Sequence, residues 1–139
     1  MEIKKILVSD REWKLGIIGM GGMGMALLSH ENFLKRGYRF VAAFDQDEER
    51  IGEKLPSGLT IQSLDKLKSV TLTLGIEIGV IAAHPSQAQA AADLFIEAGI
   101  KAILNFSPIQ LRQPEHCLME NVDFSVHLDN LAYHLNKFD

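Results

Sequence analysis

A chain of 139 residues has the length for one domain with a sizeable core, and 47% apolar against 23% charged residues is a globular balance, not a disordered or fibrous one. A net charge of -4, with no basic cluster longer than a pair such as Lys4 and Lys5, lacks the electrostatic term that drives nucleic-acid binding, so this chain alone is not expected to hold DNA. The single cysteine, Cys117, cannot close an internal disulfide, and no apolar run is long enough for a membrane span or a signal peptide, which makes a cytoplasmic chain the expectation.

The first apolar run, KLGIIG (14–19), reads as a strand that passes through the glycine-rich GMGGMGMALL into a helix over 24–34. YRFVAAFD (38–45) is a second strand, LTIQ (59–62) a short edge strand, and residues 63–74 a helix. EIGVIAA (77–83) is a further strand. PSQAQAAADLFIEAG then forms a helix over 85–98, opening on Pro85 in its first turn and stopping at Gly99, and KAILNF (101–106) is another strand. The main strand runs are short, nearly continuous and rich in β-branched or aromatic residues, as strands buried on both faces of a parallel sheet are. Strand and helix alternating at this spacing predict an α/β fold, a doubly wound, mostly parallel Rossmann sheet. Lastly, VDFSVHLDNLAYHLNKF sets Leu128, Leu131, Leu135 and Phe138 at helical spacing behind Ser125 as N-cap. This terminal amphipathic helix can pack on its own sheet or on another copy of the chain.

Gly19, Gly21 and Gly24 spell G-x-G-x-x-G where the first strand joins the first helix. In such a loop the first glycine permits the tight turn, the second lets the backbone approach a pyrophosphate, and the third lets helix and strand pack closely. The phosphates then rest on a helix N-terminus, whose free N–H groups and dipole favour negative charge. Asp45 closes the second strand, where an acid accepts hydrogen bonds from the adenosine ribose, and it repels the 2′-phosphate of NADP. Adjacent Gln46 and Asp47 offer no cation, so NAD is favoured. Because open α/β sheets bind ligands beyond the carboxyl ends of their strands, AAHP (82–85) and NFSP (105–108) are expected to border the same crevice. The cofactor-binding candidates are therefore Gly19, Met20, Gly21, Gly22, Met23, Gly24, Asp45, Ala83, His84, Asn105 and Phe106. Met20 is expected to present its backbone to phosphate, with Met23 and Met25 filling gaps between helix and sheet.

Other chemistry is thinly supported. An oxidoreductase needs a proton donor and a substrate pocket, and His84 is the candidate acid near the nicotinamide end. His127, Asn130 and His134 share a helical face, but one face across two turns rarely closes a coordination shell, so no metal is expected. Cys117, beside Glu115 and His116, reads as a loop residue, not an activated thiol.

The segments DREWKLGIIGMGGMGMAL, VAAFDQDEERIG, HPSQAQAAADLFIEAGIKAILNFSP and ENVDFSVHLDNLAYHL, in this order, resemble the NAD(H)-binding domain of the Rex redox-sensing transcriptional repressors. AGIKAILNFSP and NVDF are far more specific than the glycine motif, which many dehydrogenases share. The resemblance implies an NAD(H)-responsive regulator without turnover, and a homodimer in which the C-terminal helix is swapped onto the partner. It carries the glycine loop onto Gly19, Gly21 and Gly24, the ribose acid onto Asp45, and the switch region onto Asp123 and Phe124. It also divides the chain into a connector remnant (1–13), a Rossmann domain (14–124) and a terminal helix (125–139), with no counterpart of the family's N-terminal winged-helix domain. Two positions depart from the pattern. Gly22 stands where family members commonly carry Asn or Arg, and His30 where many carry a tyrosine that bonds the partner's switch aspartate. One alternative ligand is CoA, since the CoA-binding domains of acyl-CoA synthetases use a similar loop, although Asp45 opposes its ribose 3′-phosphate.

Overall fold

A computed structural model describes residues 11–137. In chain order the elements are β1 (Trp13–Ile18), α1 (Gly22–Leu28), α2 (Glu31–Lys35), β2 (Tyr38–Asp45), β3 (Ile61–Ser63), a 3-10 turn (Leu64–Lys66), α3 (Leu67–Leu74), β4 (Ile78–Ile81), α4 (Pro85–Glu97), β5 (Ala102–Asn105), β6 (Leu118–Asn121) and α5 (Phe124–Asn136). The six strands form one sheet in the order β3-β2-β1-β4-β5-β6, and every neighbouring pair is parallel. This is the doubly wound Rossmann order, with its reversal between β1 and β4.

Alternation along the strands builds two cores. One face gathers Ile18, Phe44, Ile81 and Ile103 under Leu67 of α3 and Ala88, Ala92 and Phe95 of α4. The other gathers Leu15, Ile17, Ala43, Ile61 and Val80 with Met20 and Leu27. Ile17, Phe44, Ile81 and Phe95 are fully buried, which accounts for the unbroken apolar runs in the strands.

Four local features differ from expectation. The helix expected over 24–34 is two helices, because the Ser29 hydroxyl bonds back to the Met25 carbonyl (2.9 Å) and His30 is extended (φ -84°, ψ 107°). The helix expected to start at Ser63 opens with a 3-10 turn, the Ser63 side chain accepting the Asp65 N–H at 3.2 Å. β6 was not foreseen: LMEN lacks the β-branched and aromatic residues that mark a strand, and its place comes from Leu118 N–H donating to Lys101 (2.8 Å) and Val122 N–H to Asn105 (2.8 Å). The N-cap of α5 is Asp123 in place of Ser125, its carboxylate accepting the Ser125 N–H at 3.0 Å. The connector expected at 1–13 lies mostly, and Phe138 wholly, outside the described residues.

Candidate functional site

The turn from β1 into α1 is one that glycine alone makes comfortably. Gly19 has φ +104°, and a Cβ there would meet the backbone of Ala82 and Ala83 at 2.6 Å. The crowding follows from the sheet: Gly19 N–H donates to Phe44 (2.9 Å) and Ala82 N–H to Ile18 (2.9 Å), so the loop is drawn across the ends of β2, β1 and β4. A Cβ on Gly24 would fall 1.9 Å from the Gly19 carbonyl oxygen, so α1 begins flush against the strand. Gly21 and Gly22, by contrast, face open space, and no side chain caps the start of α1. Uncapped N–H groups and room for a bulky group therefore coincide at a helix start, the arrangement that accepts phosphate oxygens.

Beside this turn, at the β1/β4 reversal, lies a cavity of about 150 Å³. Gly19, Met20, Gly21, Asp45 and His84 stand at its polar side, and Leu64, Ala90, Ala91 and Leu94 form its apolar wall. Asp45 is half-buried; one carboxylate oxygen accepts the Met20 N–H (2.8 Å) and the other the Asp47 N–H (2.9 Å). Each oxygen keeps further acceptor capacity for a ligand hydroxyl. His84 caps α4: its Nδ1 accepts the Ser86 N–H (3.2 Å), so in the neutral ring the proton is assigned to Nε2.

Met20 is fully buried and its side chain fills the gap under the sheet that Met23 was expected to fill, whereas Met23 is exposed. Asn105 is also fully buried, its amide nitrogen facing the carbonyl oxygens of Ser107 (3.1 Å) and Ile109 (3.0 Å) and Asn121 Oδ1 (3.0 Å), while its oxygen accepts the Ser107 N–H (2.9 Å). It shapes the loop after β5 and ties β5 to β6. Phe106 lines a separate apolar groove on the opposite face, with Leu27, Phe33, Phe40, Val80 and Leu104. His30 is exposed and packs on Phe33 with ring centroids 5.0 Å apart. Asp123 and Phe124 are exposed at the start of α5. The Ser125 hydroxyl and N–H, bonded to the Asp123 carboxylate, hold it below its usual carboxylate range.

One residue beside the loop escaped the sequence reading. Arg50 donates from Nη1 to the Met20 carbonyl and from Nε and Nη2 to the Glu53 carboxylate (3.3 and 3.0 Å). Its hydrogen bonds hold Glu53 below the usual carboxylate range. The i,i+3 pairing of Arg50 with Glu53 was a visible signal, but the turn that folds them back onto the glycine loop was not.

The profile of the CoA binding domain family matches residues 10–109. The chain belongs to the CoA binding domain family. Among relatives of this CoA binding domain chain is the redox-sensing transcriptional repressor Rex of Syntrophobacter fumaroxidans, 45% identical over 135 residues, 97% of this chain and 64% of that repressor. A Rex-family repressor, RSP, solved with β-NADH, superimposes with a TM-score of 0.89 at 32% identity over 98% of this chain and 66% of RSP. RSP with β-NAD+ and operator DNA gives a TM-score of 0.90 at 32% identity over 98% of this chain and 62% of RSP. The chain thus spans less than two thirds of these relatives. The likeness to Rex read from LNFSP and NVDF is borne out, as is the Rossmann sheet.

Proposed function

We propose that this chain is an NAD(H)-binding, redox-sensing regulatory domain of Rex type, acting in the cytoplasm, which binds the nucleotide without turning it over. The observation that carries the reading is the placement of Asp45 against the glycine turn at the β1/β4 reversal, where pyrophosphate on the start of α1 brings the adenosine ribose to a carboxylate. The apolar wall of Leu64, Ala90, Ala91 and Leu94 suits the flat face of adenine. Ala83 leaves room for close approach, and His84 Nε2–H is a donor at the cavity's polar side. Bound NAD(H) would supply the redox-sensitive nicotinamide; the protein's part is to hold its adenosine diphosphate half.

The reading extends to a homodimer built through α5. No residue of α5 is buried, and Phe124, Val126, Leu128, Leu131, Tyr133 and Leu135 are each at least half exposed. A 13-residue helix without packing is marginal in water, so this one is completed by another surface. The apolar groove at Phe33, Phe40, Leu104 and Phe106 offers such a surface on a second copy. His30, tilted against Phe33 of that groove, is then the proposed contact for Asp123 and Phe124 of that copy.

CoA is the second reading, favoured by the family profile, and Asp45 opposes it by repelling the ribose 3′-phosphate. Isothermal titration of the purified chain with NADH, NAD, NADPH and CoA separates the two. NADH or NAD binding in preference to CoA is expected; absence of both at millimolar concentration, or tighter binding of CoA, refutes the proposal.

A further inference from the structure

The arginine that touches the glycine turn is already occupied. Met20 is bracketed by opposite charges, its N–H on Asp45 (2.8 Å) and its carbonyl on Arg50. The amide and carbonyl of one residue lie only a few ångströms apart, so guanidinium and carboxylate hold the same residue of the glycine turn, one at each end. Arg50 is held there by the 47–52 turn, its own N–H donating to the Asp47 carbonyl at 2.9 Å. A guanidinium recognises phosphate by presenting two N–H groups along one edge. Here Glu53 takes the Nε/Nη2 edge, and the Met20 carbonyl takes Nη1. Both arginine and glutamate remain partly open to solvent, with side chains 27% and 45% exposed, so the pair can be rearranged without opening the core.

We propose that Glu53 is a specificity-determining residue: by occupying Arg50 it denies a phosphate-binding edge to the 2′-phosphate of NADP(H), and so reinforces the choice of NAD(H) that Asp45 begins. Discrimination is then built twice, once from repulsion by a carboxylate and once from an arginine kept engaged. Freeing the arginine exposes a ready cation beside the 2′-position while leaving Asp45 and the glycine turn intact. This rests on the NAD(H) reading given above.

The test is titration of NADH and NADPH against wild type, Glu53→Gln, Glu53→Ala and the double variant Arg50→Gln/Glu53→Gln, with the ratio of the two affinities as the readout. In both Glu53 variants NADPH affinity is expected to rise about tenfold relative to NADH, with NADH itself within about twofold of wild type, and the double variant is expected to lose the gain. A wild type that binds NADH, together with Glu53 variants whose ratio is unchanged, overturns this proposal alone. A gain that survives in the double variant overturns it too, since the arginine would then not be its source. A wild type that binds no NADH overturns the NAD(H) reading with it.

Discussion

Asp45 joins two tasks in one carboxylate. It ends β2 beside the glycine turn, and it holds the Met20 and Asp47 amides so that the loop is shaped before any ligand arrives. Asp45→Ala is expected to weaken NADH binding by about 1–3 kcal/mol, the scale of charged hydrogen bonds to a ribose, measured by isothermal titration. Unchanged affinity with a lowered melting temperature would assign the acid to the turn alone. Asp45 and the three loop glycines were legible in sequence because each answers a local demand: φ, closeness, or charge at a strand end. Arg50 and Asn105 were not. Arg50 acts on a loop 30 residues away, and Asn105, placed at a strand end as a ligand-binding residue would be, spends its amide within its own buried loop.

At the scale of elements, periodicity located the helices and strands, and local hydrogen bonding set their ends. Ser29 divided one expected helix, and Asp123 took the cap of α5 from Ser125. That cap carries a pH dependence whose sign follows from the Asp123 carboxyl, depressed below its ordinary 3.8. Its stabilisation is fully present above that value and lost as pH falls through the lower folded value. Helicity of α5 is therefore expected to fall in acid below about pH 4, and Asp123→Ala is expected to show reduced helicity at neutral pH without that acid step, both read by circular dichroism. An acid step of equal size in the variant would point to another carboxylate. β6 illustrates the opposite limit. Its four residues carry no strand signal and pair because β5 and the Asn105–Asn121 bond offer them a ladder.

Over the whole molecule, one set of helices covers one sheet face, while the other face is left with an apolar groove and the chain ends in an unpacked helix. These two unsatisfied surfaces belong together in the proposed dimer, the last residues of which lie outside the described chain. Leu128→Asp with Leu131→Asp is expected to convert a dimer to a monomer in analytical ultracentrifugation, since two charges cannot enter an apolar groove unpaired. A wild type that sediments as a monomer overturns the dimer. The doubly wound, parallel character of the sheet was readable along the chain, because strand–helix alternation and right-handed crossovers leave few ways to wind such a sequence. Folding, in contrast, set which side chains were spent on neighbours and which stayed exposed. Those outcomes depend on contacts between residues far apart in the chain, to which no local pattern refers.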